Sequence, residues 1–184
     1  MDAKILITGP PRCGKSTLIQ KIIKNLKDEF LLYGFLTPEV RKKNKRIGFD
    51  VEDISSDMRI SLARKGAYSS QYKLGSYNVF IDKFNQYLND TLSLLLDKLD
   101  SYENINRILI IDEIGKMELF SELFQTMLKT LFNSKLCIIG TIGQKMNHPI
   151  KDFILNIPSI KLFKVSHKNQ HEILRKVLTI LKNK

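Results

Sequence analysis

Cysteine is scarce. Cys13 and Cys137 are the only two in the chain, too few for a disulfide scaffold, and no Cys/His cluster stands at zinc-ligand spacing, so a reducing compartment and no zinc site are expected. Long apolar runs are also missing. Nowhere do 18 apolar residues follow one another, and the N-terminal Ile5-Leu6-Ile7 is too short for a signal-peptide core, so a soluble cytoplasmic protein with no membrane contact is expected. There is no internal repeat, low-complexity tract or Pro/Gly/Ser linker, and 184 residues suit a single domain over 1–184. Acid is in deficit: 19 Asp and Glu stand against 30 Lys and Arg, a net charge of +11. The excess favours anionic partners, whether nucleotides, nucleic acid or acidic lipids, without choosing among them. A Lys-rich solvated surface accounts for it equally well.

The hydrophobic pattern alternates between two periods. A buried strand is predicted at Lys4 to Thr8, then a Gly/Pro loop, then a helix from Lys15 to about Asp28 with Leu18, Ile19, Ile22, Ile23 and Leu26 on one face. Residues 33–80 lack helical period and read as an antiparallel β-excursion whose basic run at 41–46 forms a hairpin tip. A helix over Asp82 to Leu99 follows, then a continuous apolar strand at Ile108 to Ile111. Helices near Leu119 to Phe132, Pro149 to Leu155 and Gln170 to Leu181 are separated by strands at Leu136 to Thr141 and Ile160 to Val165. The alternation predicts a three-layer α/β fold with a mainly parallel central sheet and a β-rich insertion at about 33–80.

Between the first strand and the first helix lies Gly9-Pro10-Pro11-Arg12-Cys13-Gly14-Lys15-Ser16-Thr17. It fits the phosphate-loop pattern of Gly, four residues, then Gly-Lys-Ser/Thr, in the one context where that pattern has physical meaning. Glycines let the loop wrap closely, backbone N–H groups turn inward on a β-phosphate, and the positive end of the helix adds to the field. Lys15 is expected to reach β- and γ-phosphate oxygens, and Ser16 to offer its hydroxyl to Mg²⁺, a cation that takes few protein ligands. The partner element is an acid at the end of a neighbouring buried strand, and Asp112-Glu113 after Ile108 to Ile111 supplies it. Asp112 would hold the metal, and Glu113 would orient or deprotonate the attacking water. An ordinary Asp-Glu at a strand end is the plainer reading of the same pair. No Asn/Thr-Lys-x-Asp guanine reader, no Leu-Ser-Gly-Gly-Gln signature and no Arg-rich lid like those of small nucleoside monophosphate kinases is present, so base selectivity is not written here and a GTPase switch or a transporter ATPase fits poorly.

Asp112-Glu113-Ile114-Gly115-Lys116-Met117-Glu118-Leu119-Phe120-Ser121 resembles the signature of the small Thep-type, or cancer-related, nucleoside-triphosphatases. Thr8 to Leu18, Gly34-Phe35, Glu39-Val40-Arg41, Arg46 to Val51, Leu74 to Val79 and Gly140-Thr141-Ile142 are similar to further elements of that family. The resemblance implies a P-loop fold and slow, Mg²⁺-dependent hydrolysis of nucleoside triphosphates to diphosphate and phosphate, with broad base tolerance. Two positions depart from it. Arg12 stands where the family usually has glycine; a positive φ there would cost roughly 1–2 kcal/mol unless a charge interaction offsets it, and Arg12 is also placed to contact phosphate. Asn169 is followed by Gln170 where the family tends to have Asn-Arg, so the role of that Arg is not carried over.

Lys116 is a candidate for stabilising transition-state charge, against a local pairing with Glu118, which otherwise reads as structural. Arg41 and Arg46 are alternatives if the excursion closes as a lid, against a solvated tip. Tyr68, Tyr72 and Tyr77 offer either a stacking face for a base or packing within the excursion. Cys13, at a helix N-terminus, reads as alkylation-sensitive. His148, His167 and His171 show no catalytic partner. The expected activity is a monomeric or weakly associating nucleoside-triphosphatase acting on ATP, GTP, CTP and UTP. A kinase for nucleosides, nucleotides or polynucleotide ends is the alternative, and a nucleotide-timed nucleic-acid binder, using the basic surface, is a third.

Overall fold

Every residue of the first strand, β1 (Lys4–Gly9), is buried, as a strand covered on both faces must be. The computed structural model describes residues 2–93 and 106–182. After β1 come α1 (Lys15–Leu26), β2 (Leu31–Leu36), β3 (Glu39–Lys42), β4 (Lys45–Asp53), β5 (Arg59–Lys65), β6 (Tyr72–Leu74), β7 (Tyr77–Val79) and α2 (Ile81–Asp90). The second half carries β8 (Arg107–Ile114), a 3₁₀ turn (Glu118–Phe120), α3 (Glu122–Asn133), β9 (Cys137–Gly143), α4 (Pro149–Leu155), β10 (Ile160–Lys164) and α5 (Gln170–Lys182). The part of the predicted 82–99 helix beyond residue 93 lies outside the described residues.

The ten strands form one sheet, ordered β10-β1-β9-β8-β2-β4-β5-β7-β6, with β3 also on β4. From β10 to β2 all pairings are parallel. Period-two alternation assigns the faces: Ile5, Ile7, Ile108, Ile110 and Ile139 pack with α1 and α5. Leu6, Leu109, Ile111 and Ile138 turn the other way, toward α2, α3 and α4. Buried Leu18, Ile19, Ile22 and Leu26 recur at helical spacing along α1 and explain its docking. Ser121 caps α3 by accepting from the Phe124 amide at 2.9 Å, and His148 Nδ1 caps α4 by accepting from the Ile150 amide at 3.1 Å. The predicted helix at Leu119 therefore begins instead as a 3₁₀ turn, with the continuous helix starting after the Ser121 cap.

One boundary of the predicted excursion is wrong. Residues 33–36 belong to β2, which pairs in parallel with β8, Gly34 opposite Ile110 and Leu36 opposite Asp112. Its mixed burial disguises a central strand as a peripheral one. Only from β3 onward is the chain antiparallel, and it extends the same sheet through β4 rather than building a separate layer. A two-residue turn, Lys43-Asn44 with φ of 47° and 60°, links β3 to β4, the geometry that matches strand twist. Within this extension the buried Asp50 accepts from Arg59 Nε at 2.6 Å and from Arg64.

Phe35 joins the extension to the core. Its ring lies 5.6 Å from Phe84, 5.9 Å from Tyr87 and 5.7 Å from Phe124, edge-on or tilted, contacts that add to the area it buries. Lys4 is buried too, its ammonium donating to the carbonyls of Ser134 (2.9 Å) and Leu136. Burial pulls its pKa down to about 8, against opposing contributions from Cys137 and Asp2. Phe35→Ala is expected to lower unfolding free energy by about 3–5 kcal/mol, the cost of deleting a fully buried ring, read from the denaturant midpoint at unchanged slope. Between pH 8 and 10.5 the unfolded chain holds the Lys4 proton that the folded one has released. Stability should therefore rise with pH across that window by up to ~1.4 kcal/mol per unit. Lys4→Met should remove that contribution in melts recorded at stepped pH.

Candidate active site

The carboxyl ends of β1, β8, β9 and β2 meet where α1 begins. The loop after Gly9 tightens through a bond from the Cys13 amide to the Pro10 carbonyl at 3.3 Å and passes through left-handed backbone at Arg12 (φ 64°) and Gly14 (φ 94°). Gly14 is required twice over, since a Cβ there would lie 2.2 Å from Gln170 Nε2. Arg12 bears the strain of that left-handed backbone, and its side chain is exposed. No side chain caps α1, so the first-turn N–H groups face outward for an anion. Lys15 bends back over the loop, Nζ donating to the Gly9 carbonyl at 3.4 Å.

Asp112 ends β8 nearly sealed, at 4% exposure. Its carboxylate accepts from the hydroxyl of Thr141 on β9, and Ser16 on α1 helps to hold its pKa down. Thr37, just beyond β2, donates to the Asp112 carbonyl at 2.7 Å and accepts from the Glu113 amide at 3.1 Å. Burial raises the Asp112 pKa, against the bonds from Thr141 and Ser16 and the charge of Lys15. Glu113 is half-buried, with Oε2 4.0 Å from Lys15 Nζ. Burial raises its pKa as well, Lys15 opposing and Asp112 adding.

Glu118 stands on the 3₁₀ turn beside these two acids. It is 4% exposed, and burial, then the charges of Glu113 and Asp112, push its pKa up to about 8, while backbone N–H groups of Glu118 and Gly115 oppose. It does not pair with Lys116, which is exposed and makes no ion pair among the described residues. Thr37 was not singled out from sequence and Thr141 only as part of a family match. A Thr inside the buried Ile-Ile-Gly-Thr-Ile run of β9 was the available signal. Gln170 was noticed only as a departure from the family, yet its Nε2 donates to the Cys13 carbonyl at 3.2 Å and packs on the phosphate loop.

Other candidates are placed elsewhere. Arg41 and Arg46 both hold Glu39, at 2.6 and 2.7 Å, and Arg46 also donates to the Tyr77 hydroxyl at 2.8 Å. Tyr77 packs on Phe49 and Tyr72 on Phe120, which is packing of the extension; Tyr68 rests edge-on against Phe80 and is 51% exposed. Cys13 is 3% exposed, which removes the access that alkylation needs. Pro10, Pro11, Ser16 and Thr17 lie with Arg12 on the open side of the loop.

The donors suit a hard divalent cation. Ser16 and Asp112 bring oxygen donors from two elements to the same corner, and no cluster of three His, Cys, Asp or Glu able to cage a metal occurs among the described residues. A cation that keeps water and phosphate ligands fits such a sparse set. No helix among the described residues is long and apolar enough to cross a membrane.

Comparison with known proteins gives a consistent picture. A family model described as NTPase matches residues 4–178. Nucleoside-triphosphatase THEP1 of Thermotoga maritima is 34% identical over 179 residues, covering 97% of this chain and 95% of the relative. The human cancer-related nucleoside-triphosphatase is 36% identical over 191 residues, covering 100% and 98%. The crystal structure of THEP1 from Aquifex aeolicus superposes with a TM-score of 0.84 at 30% identity, covering 97% of this chain and 99% of that one. With a phosphate loop facing a paired Asp-Glu on an α/β sheet, and with relatives matched over nearly their whole length, the chain belongs to the NTPase family.

Proposed function

We propose that the protein hydrolyses nucleoside 5′-triphosphates, ATP, GTP, CTP and UTP alike, to the diphosphate and phosphate with Mg²⁺ as cofactor. The observation that carries this reading is the approach of Lys15 Nζ and Glu113 Oε2 to 4.0 Å above the phosphate loop. It puts a cation for the γ-phosphate and a base for water at one point. Gly9 to Thr17 wrap the phosphates, backbone N–H groups of the loop and of α1 binding the anion. Ser16 and Asp112 would hold the metal, which when bound neutralises charge on the phosphate oxygens.

Glu113 orients water and takes its proton as the water oxygen bonds to the γ-phosphorus. The bond from that phosphorus to the bridging oxygen breaks, and the electron pair leaves with the diphosphate. The raised pKa of Glu113 supports its role as acceptor. Lys15 stabilises charge as it spreads over the phosphoryl oxygens, and Lys116, exposed on the turn after β8, is the second cation for that task. Base tolerance is supported by the absence of a guanine-reading sequence. The +11 charge steers triphosphates inward and supports weak contact with nucleic acid. The scarcity of cysteine supports a reducing compartment such as the cytoplasm.

Phosphate release should be seen with all four triphosphates without an acceptor. Glu113→Gln is expected to lower kcat by about 10²- to 10⁴-fold while keeping nucleotide affinity; retained turnover would remove Glu113 from the mechanism. Lys15→Ala should weaken triphosphate binding by at least about tenfold, the loss of charge-assisted bonds to phosphate, measured by titration with a non-hydrolysable analogue. Phosphate that appears only on a supplied hydroxyl would instead mark a kinase.

A further inference from the structure

Gly115 has no positive φ to explain it; what it supplies is space. A Cβ at this position would lie 2.7 Å from Glu118 Oε2 and 2.8 Å from Glu113 Oε1, so two carboxyl groups converge on the gap left by one missing side chain. Glu113 thereby acquires two different oxygens. Oε2 faces Lys15 across 4.0 Å, on the phosphate side, and Oε1 faces the gap at Gly115.

On the far side of that gap Glu118, 4% exposed, makes no ion pair among the described residues. A carboxylate with no counter-charge, sealed from water and beside two other acids, is too costly to keep ionised, so Glu118 carries a proton. Its raised pKa agrees. The backbone amides of Gly115 and Glu118 lower its pKa only in part, and the carboxyl stands on the 3₁₀ turn. The turn is anchored in its own right by a bond from the Leu119 amide to the Gly115 carbonyl at 3.1 Å.

We infer that Glu118 is a positioning residue for the proposed hydrolysis: its buried neutral carboxyl and the bare Gly115 together hold Glu113 Oε1, so that Oε2 alone is presented to water and γ-phosphate. Both groups act through Glu113, and the inference rests on the role proposed above for that residue. A base misplaced by about an ångström is enough to cost orders of magnitude in rate. Binding of the triphosphate depends on the loop and Lys15 instead, so kcat and KM should separate.

The test measures kcat and KM for phosphate release, with affinity for a non-hydrolysable triphosphate, in wild type, Glu113→Gln, Glu118→Gln, Glu118→Ala and Gly115→Ala. Glu118→Gln keeps a neutral group of the same shape and should retain kcat within about threefold. Glu118→Ala and Gly115→Ala should each lose at least about tenfold in kcat, with KM and analogue affinity within about threefold. Wild-type kcat in both of these would overturn the inference while a loss in Glu113→Gln leaves the base in place. Equal damage in Glu118→Gln and Glu118→Ala, with both proteins folded by circular dichroism, would overturn it as well. Full activity in Glu113→Gln would remove the base itself, and the positioning role with it. Should Glu118→Ala fail to fold, the pair Glu118→Gln and Gly115→Ala decides.

Discussion

Everything at this site depends on the hydrogen bonding of one buried acid. Asp112 sits at the end of β8 where water hardly reaches it, and a carboxylate in such a place must be surrounded by donors. Thr141 supplies one from β9 and Ser16 of α1 adds to it, while Thr37 bonds to both ends of the Asp112–Glu113 peptide. Satisfying this single residue ties together α1, β8, β9 and the end of β2. The same ties bring the phosphate loop, the proposed metal donors and Glu113 to one place, so the requirement that stabilises the fold also assembles the proposed site.

Burial acts on the three acids of this corner in graded fashion. Asp112 is relieved by hydroxyl donors and Lys15, Glu113 by Lys15 across a half-open gap, and Glu118 by backbone N–H groups. Two anions and a neutral acid can share so small a volume with one lysine, where three anions would repel strongly. This gradation also separates their tasks. The best-bonded acid suits a metal, the acid beside the ammonium suits water, and the sealed one suits a fixed support.

Much of this was legible in the residues. The strand-loop-helix context of Gly9 to Ser16 and the apolar run before Asp112 point to the site by physical necessity, because phosphate wrapping needs glycines and a helix start, and a metal acid needs a buried strand end. Period-two and period-3.6 patterns located the central elements within a few residues. What escaped was of another kind. β2 mixes exposed and buried positions, so nothing local marks it as part of the parallel sheet, and its partner β8 is far along the chain. Thr37 and Thr141 matter only because register sets them beside Asp112, and the space at Gly115 exists only because a turn folds Glu118 back toward Glu113. Arg41 and Arg46 looked available in sequence because Glu39, nearby along the chain, was not seen as their shared partner.

The single continuous sheet has a consequence for how such a chain can change over time. Because β2 pairs with β8 on one edge and β4 on the other, the antiparallel extension is not an appendage that could be lost or exchanged as a unit. Its removal would bare the backbone of a central strand, strip Phe35 of its neighbours' support and leave an open edge ready to pair with another chain. Changes around the far margin of the extension, at the β3–β4 turn and β6, leave the β2–β4 pairing intact. There the charge and length of the protein can drift without exposing the strand that carries Thr37 to the site.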